Sequence, residues 1–280
     1  MKTTRRPTLA PALRAAVLAL AAALAGCGGG GGGGASGDDA WSPAIGDSWT
    51  IQLTGTLDTT VDAKVYDVDL FDTPAATIAS LQAAGRVVVC YFSAGSSEDW
   101  REDHGRFQAA DMGKALDGWA GENWLDTRSD NVRTIMADRI ALAAEKGCDA
   151  VDPDNVDGWS NDTGFALSAA TQLDYNRFLA AQAHAAGLKV GLKNDVGQLD
   201  ELVAHFDFAV NEQCHVYDEC AGYAVFTAAG KPVFNIEYDA AYVNNTGGAR
   251  ERLCAAARAA DLRTLVMAEL LDGSLRLSCD

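Results

Sequence analysis

The chain has 280 residues, of which 39 are acidic and 22 are basic, giving a formal net charge of −17. This balance argues against nucleic acid and anionic lipid surfaces as partners, because both attract basic proteins. It suits a cationic ligand, or solubility alone.

Residues 1–26 have the pattern of a secretory signal peptide. A basic start precedes an apolar run from Ala15 to Leu24, which is too short to span a bilayer comfortably. The run ends in Leu24-Ala25-Gly26-Cys27. This ending resembles a bacterial lipobox, in which the signal is cut before the cysteine and the cysteine is lipidated.

Residues 27–40 are predicted to be a lipidated cysteine followed by a glycine-rich tether, since such a composition buries nothing and stays flexible. Cleavage removes four basic and no acidic residues, leaving 18 basic and 39 acidic residues and a net charge of −21. We expect an exported lipoprotein in the outer membrane, facing the periplasm or the surface, with Cys27 as its only membrane attachment. The alternative is ordinary secretion with a spare thiol.

Short apolar or β-branched segments alternate with alanine-rich stretches from Trp41 onward. The predicted strands are 49–53, 65–70, 86–92, 148–152, 188–193, 206–212, 232–237 and 262–268. The predicted helices are 73–84, 131–146, 168–186 and 249–260. Near-continuous apolar strands separated by helices are typical of a parallel sheet buried on both faces. The sequence therefore predicts an α/β fold: a single-domain (β/α)8 TIM-type barrel over residues 41–280.

Six cysteines remain if Cys27 carries lipid, and an even number in an exported protein suggests disulfides. Cys214 and Cys220 bracket a short loop and are the best candidate pair. Cys254 and Cys279 could hold the C-terminus. The two remaining cysteines, Cys90 and Cys148, lie in apolar strands and could either pair or stay as buried thiols.

The fullest group of carboxylates is Asp152-Pro153-Asp154-Asn155, at the end of the fourth predicted strand. Proline cannot donate to a sheet ladder, so the strand is expected to stop at Pro153. If the pleat continues, alternation places Asp152 and Asp154 on the same side. The carboxyl ends of the strands in a closed parallel barrel meet at one rim, where ligands bind.

A rim rich in carboxylates suits glycoside hydrolysis, which needs two carboxyl groups flanking the scissile bond and no cofactor. The pattern alone leaves Asp152, Asp154 and Asp157 open as one acid, and offers Glu212 as the other with Glu237 in reserve. No Cys-x-x-Cys or histidine cluster suggests a metal site. The aromatic residues available to stack on sugars are Tyr66, Tyr91, Trp100, Trp119, Trp124, Trp159 and Tyr238. Residues 93–131, which contain three of these tryptophans, are expected to form a wall of the site.

Several ordered motifs between Trp41 and Glu269 resemble glycoside hydrolase family 114. They are YDVD from Tyr66, VCYFSAGS from Val89, Trp100-Arg101, Trp124-Leu125-Asp126, GCDAVDPDNVDG from Gly147, GLKN from Gly191, NEQC from Asn211 and FNIEY from Phe234.

This resemblance implies endo hydrolysis of α-1,4-linked galactosamine polymers, with catalytic acids at Asp154 and Glu212. We expect Asp154 to be the nucleophile or stabilising carboxylate, and Glu212 the general acid/base. The residues expected to bind substrate are Asp67, Asp69, Tyr91, Asp152, Asn155, Lys193, Asn194, Glu237 and Tyr238. The expected partner is a cationic amino-sugar polysaccharide. We expect the protein to be a monomer and not to bind nucleic acid.

Two other functions compete with this one. The first is a non-catalytic, carbohydrate-binding barrel lipoprotein, which would bind the polymer without releasing reducing ends. The second is an aldolase-like barrel that forms a Schiff base through Lys193.

Overall fold

A computed structural model describes residues 41–280. The predicted signal peptide, the lipobox with Cys27 and the tether lie outside these described residues. The strands are β1 Trp49–Gln52, β2 Val65–Asp69, β3 Val87–Ser93, β4 Ser96–Glu98, β5 Met112–Ala115, β6 Glu122–Leu125, β7 Ala150–Asp154, β8 Lys189–Lys193, β9 Phe208–Glu212, β10 Val233–Glu237, β11 Leu262–Met267 and β12 Arg276–Ser278. The α-helices are α1 Ala75–Ala83, α2 Asp130–Lys146, α3 Ala169–Ala185, α4 Leu199–Leu202, α5 Ala224–Ala228, α6 Ala240–Val243 and α7 Ala249–Ala259.

Eight parallel strands form the main sheet in the order β1-β2-β3-β7-β8-β9-β10-β11, and β12 pairs antiparallel with β11. The two ends of the sheet meet around Trp49. Its indole nitrogen donates to the carbonyl of Arg263 on β11 at 2.8 Å, and its own carbonyl accepts from Arg276 at 2.7 Å. The sheet is thus curled into the predicted (β/α)8 barrel.

The barrel has an inner and an outer apolar core. Inside, side chains such as Trp49, Phe208 and Phe234 pack together, with the rings of Trp49 and Phe234 stacked at 5.0 Å. Gly191 gives Phe208 the space it needs, because a Cβ at Gly191 would lie 2.4 Å from the Phe208 ring. Outside, a larger apolar cluster lies between the sheet and the helices. Strands buried on both faces account for their continuous apolar sequences.

Strand β7 continues through Pro153 and ends at Asp154, so the predicted stop at Pro153 is wrong. The pairing of β7 with β8 ends at Val151, whereas its pairing with β3 continues to Asp154. Proline therefore ends only one of the two ladders. The pleat is preserved, and Asp152 and Asp154 lie on the same face, as alternation predicted.

The connection from β3 to α2 contains a second sheet that the sequence did not reveal. Strands β4, β6 and β5 form this antiparallel sheet in that order. Elsewhere the fold departs from a regular barrel, because in the described chain β2 follows β1 without an intervening helix and β11 is followed by β12.

Caps and disulfides fix the ends of several elements. The Ser129 hydroxyl accepts from Val132 at the start of α2, and Gly147 ends that helix in the left-handed conformation. The predicted disulfides Cys214–Cys220 and Cys254–Cys279 are both present. The question left open for Cys90 and Cys148 is resolved, since they form a third disulfide. No helix of the described chain is both long and apolar enough to cross a bilayer.

Candidate active site

An open cleft of about 480 Å³ lies at the carboxyl ends of the barrel strands. Its walls come from β3, β7, β8 and β9, from the antiparallel sheet and from the chain that follows β11. The residues that line it are Leu53, Tyr91, Leu116, Trp119, Glu122, Trp124, Asp154, Asn155, Val156, Asp157, Asn161, Lys193, Asn194, Glu212, Gln213, Tyr217, Tyr238, Glu269 and Leu271.

Lys193 is at the centre of the cleft floor. Its ammonium lies 3.3 Å from Asp154 Oδ1, 3.4 Å from Glu212 Oε2 and 4.0 Å from Asp152 Oδ2, and its side chain is 2% exposed. Burial opposes the positive charge, but the surrounding carboxylates outweigh it and raise the pKa of Lys193 well above its ordinary value. Because a Schiff base requires a neutral amine, this arrangement argues against the aldolase-like alternative.

Asp154 is surrounded by donors. Its Oδ2 accepts from the Tyr91 hydroxyl at 2.8 Å, and its Oδ1 accepts from the backbone N–H of Asn155 at 2.7 Å and faces Lys193. Burial, followed by the charge of Asp154, raises the pKa of Tyr91 well above its usual value, so the phenol keeps its proton and remains a donor. Three donors stabilise negative charge on a carboxylate that is still open to the cleft.

Glu212 lies on the neighbouring wall with its side chain 30% exposed. Its Oε1 accepts from the Tyr238 hydroxyl at 2.5 Å, and Oε2 faces Lys193. The amide oxygen of Asn194 accepts from the Glu212 backbone N–H at 3.0 Å, which fixes the end of β9. Glu212 is thus held by the end of β8 and by Tyr238, just beyond β10.

A second layer of carboxyl groups lies beneath this pair. Asp152 and Asp67 are both buried under Lys193, and burial is the main cause that raises the pKa of each. The charge of Asp152 adds to the rise for Asp67, the charges of Asp154 and Glu212 add to the rise for Asp152, and Lys193 opposes both. The pKa of Asp152 is raised to about 7, and that of Asp67 well above its ordinary value. Neither residue lines the cleft, so both act on substrate only through Lys193 and Asp154.

Asp69 and Glu237 also lie outside the cleft lining, although substrate binding was predicted for both. Asp69 forms a buried ion pair with Arg101 at 2.5 Å. Glu237 points to the outer face of the barrel, where its Oε1 accepts from the backbone of His215 at 2.9 Å and from Asn235 at 3.3 Å. These contacts are structural. The other predicted binders, Tyr91, Asn155, Lys193, Asn194 and Tyr238, all line the cleft.

The antiparallel sheet supplies one wall of the cleft, as predicted for residues 93–131. Trp119 and Trp124 line that wall together with Glu122, which the sequence did not single out. The four residues of this strand, Glu122-Asn123-Trp124-Leu125, are two polar residues followed by two apolar ones, so no alternation marks them as a strand. Trp100 and Tyr66 do not line the cleft.

An adjoining hollow of about 500 Å³ shares Asp157, Asn194, Glu212 and Tyr217 with the cleft and extends it past Trp159. Within residues 41–280, one group of side chains is close enough together to hold a metal ion: Cys214, His215 and Cys220. The two sulfur atoms are joined as a disulfide, so thiolate ligation would first require reduction.

An open cleft on a (β/α)8 barrel, with two carboxylates facing each other across it, defines a glycoside hydrolase. The family model described as Glycoside-hydrolase family GH114 matches residues 34–280 of this chain. The chain therefore belongs to that family.

Solved structures agree with this assignment. The chain is similar to Aspergillus fumigatus Ega3 in complex with galactosamine, with 43% identity and a TM-score of 0.80, over 88% of this chain and 100% of that one. The glycoside hydrolase domain of PelA from Pseudomonas aeruginosa matches with 16% identity and a TM-score of 0.65, over 82% of this chain and 98% of that one. The second likeness shows the fold alone. The comparison with curated proteins gave no match.

Proposed function

We propose that the protein is an endo-acting hydrolase of α-1,4-linked, galactosamine-containing polysaccharide, with Asp154 and Glu212 as its catalytic acids. The observation that carries this proposal is the pair of carboxylates held on either side of Lys193 in an open cleft. An open cleft lets a polymer pass on both sides of the reacting bond. Family membership and the 43% identity to Ega3, which was solved with galactosamine, support the substrate class.

Asp154 acts as the nucleophile, because the Tyr91 hydroxyl, the Asn155 backbone N–H and the Lys193 ammonium stabilise its negative charge. Glu212 protonates the leaving oxygen and then activates water. Each carboxylate oxygen lies within 3.4 Å of the same ammonium, so their separation cannot exceed those two distances combined. This short span favours the retaining geometry, with carboxyl groups about 5–5.5 Å apart, over most of the inverting range of about 6.5–9.5 Å.

The test is product analysis on galactosamine polymers with the wild type, Asp154→Asn and Glu212→Gln. Each substitution removes a reacting group while keeping its shape, and we expect losses of about 10²- to 10⁴-fold in kcat. Proton NMR of the first products should show the α anomer. Full activity in either variant would refute the site assignment. Polymer binding by the wild type without release of reducing ends would favour the non-catalytic carbohydrate-binding alternative.

We also propose that the protein is exported and anchored by lipid on Cys27, with a monomeric hydrolase domain at the end of the tether. The lipobox-like sequence before Cys27 supports this location. Replacing Cys27 with serine should move the protein from the membrane fraction to the soluble fraction without changing its specific activity. A wild-type protein found wholly in the soluble fraction would contradict the proposal.

A further inference from the structure

A continuous chain of hydrogen bonds links Glu122, on the cleft wall, to Asn155, which follows Asp154. The Ser96 hydroxyl donates to Glu122 Oε2 at 2.5 Å, and the hydroxyls of Ser96 and Ser93 are 2.6 Å apart. The side-chain amide of Asn155 donates to Ser93 Oγ at 2.9 Å. We call these four residues the Glu122 chain.

The Glu122 chain has a fixed direction. The Asn155 amide nitrogen can only donate, so Ser93 Oγ accepts a hydrogen bond from it. The Ser93 hydroxyl in turn donates a hydrogen bond to Ser96 Oγ. Because Ser96 in turn donates to Glu122, both hydroxyl protons point toward that carboxylate. The Ser96 backbone N–H also donates to Ser93 Oγ at 3.1 Å, and the Asn155 amide also donates to Ser96 Oγ at 3.4 Å. Both serines are buried, at 1% and 0% exposure, so bulk solvent cannot replace a lost partner. The final acceptor is therefore the charge on Glu122.

The Glu122 chain ends on a strained turn next to the reacting group. Asn155 has a φ of 60°, a conformation that costs free energy for any residue with a Cβ. In this conformation its backbone N–H donates to Asp154 Oδ1 at 2.7 Å. The turn also packs tightly against Gly95, where a Cβ would lie only 1.6 Å from the Asn155 carbonyl oxygen. The position of Asp154 thus depends on how firmly Asn155 is held.

We propose that Glu122 is a positioning residue for Asp154, acting through the hydroxyls of Ser96 and Ser93 to hold Asn155 in its left-handed turn. The proposal rests on the assignment of Asp154 as a catalytic acid. Glu122 is a carboxylate of the cleft with a role distinct from the two reacting acids, since its bonded oxygen faces the protein.

The charge on Glu122 changes in the neutral range. Burial raises the pKa of Glu122 to about 7; the Ser96 hydroxyl lowers it, Glu98 and Asp154 raise it, and Arg101 lowers it. The phenol of Tyr91, on β3, is the other titratable group that faces it, and it stays neutral. Protonation of Glu122 removes the charged acceptor, so the hold on Asn155 weakens as the pH falls through this range.

The experiment compares the wild type with Glu122→Gln and Ser96→Ala. Ser96 is fully buried and does not line the cleft, so its variant separates positioning from any direct contact of Glu122 with substrate. We expect kcat to fall about 10- to 100-fold with KM little changed, since a shift of the reacting group acts on the chemical step. Ser80→Ala, on an exposed position of α1, is the matched control. Thermal unfolding of each variant checks that it is folded.

The pH profile provides a readout that a merely structural role would not move. The ratio of wild-type kcat to Glu122→Gln kcat should be largest near about pH 8.5 and approach one near about pH 5, where Glu122 is uncharged in the wild type. Ser96→Ala should show the same trend. A constant ratio across this range, or a kcat of Ser96→Ala equal to that of the wild type, would overturn the proposal.

A double-mutant cycle tests the route through Asn155. Asn155→Gly removes the amide but allows the left-handed turn, so adding Ser96→Ala to it should cause no further loss. Additive losses would contradict this route. Failure of the proposed function is distinguishable, because it appears as retained activity in Asp154→Asn, whereas failure of this proposal leaves Asp154→Asn inactive and Ser96→Ala unaffected.

Discussion

The positive charge of Lys193 allows several carboxylates to lie close together at the floor of the cleft. Asp152, Asp154 and Glu212 surround its ammonium, and Asp67 lies deeper in the same layer. Carboxylates this close repel one another, and burial strengthens that repulsion. The ammonium offsets it and favours ionised Asp152 at a pH where burial would otherwise keep the residue protonated. Lys193 is therefore as necessary to the site as the two acids.

Replacing Lys193 with methionine should destabilise the fold by about 3–5 kcal/mol near neutral pH, because the carboxylates lose their buried counter-charge. The pKa values of Asp152 and Asp67 are already raised, and loss of the ammonium raises them further. Stability associated with a raised carboxyl pKa is present at low pH and lost as the pH rises through that pKa.

The defect of Lys193→Met should therefore be larger near about pH 8 than near about pH 5. Urea unfolding at both pH values measures the difference, and Lys64→Met, at an exposed position, is the matched control. An equal loss of stability at both pH values would show that the cost is one of packing rather than of charge.

The sequence allowed prediction of all eight barrel strands, with each end within two residues of the structure. The barrel strands can be recognised in the sequence because both of their faces are buried, which makes each a nearly continuous apolar run. The elements β4, β6, α4 and α6 cannot be recognised in this way, since they have three or four residues and are too short to show a period. Glu122 was missed for this reason.

The sequence is a poorer guide to which side chains point into the barrel and which point outward. The reason is again that both faces of each strand are buried. In β10 the side chains of Phe234 and Ile236 face the inner core, so Glu237 faces outward. Alternation of apolar and polar residues would have shown this, but the outer face is equally buried. The ion pair between Asp69 and Arg101 was not predicted, because Arg101 comes from a loop whose position no local pattern predicts.

Two disulfides should have separable effects. Cys214–Cys220 closes the loop that places Tyr217 in the cleft, whereas Cys254–Cys279 joins α7 to the C-terminal end of the chain. Replacing Cys214 and Cys220 with alanine should raise KM several-fold, because the loop loses its constraint. Replacing Cys254 and Cys279 should instead cost about 3 kcal/mol of stability, a typical value for a closed loop of this length, and leave the kinetics unchanged.

Steady-state kinetics and thermal unfolding of both double variants test this separation, and each pair serves as the control for the other. A wild-type KM after loss of Cys214–Cys220 would show that the loop holds its conformation by packing alone.

The charge of the whole molecule fits the charge of its site. Removal of the predicted signal peptide leaves a net charge of −21. The acidic residues that line the cleft are Glu122, Asp154, Asp157, Glu212 and Glu269. Among the described residues of the lining there is one cation, Lys193, and it is buried at the floor. The adjoining hollow adds Asp195 and Glu219. The electric field of a cleft lined by negative charges raises the local concentration of positively charged ligands.

De-acetylated galactosamine carries an ammonium group and acetylated galactosamine does not, so the two polymers should respond differently to salt. Ions screen the interaction between exposed charges over about 10 Å at 0.1 M salt. Affinity for the de-acetylated polymer should therefore fall steeply with sodium chloride, whereas affinity for the fully acetylated polymer should change little. Binding measured with the inactive Asp154→Asn variant avoids turnover. Equal affinities of the two polymers at every salt concentration would mean that shape and hydrogen bonding, rather than charge, select the substrate.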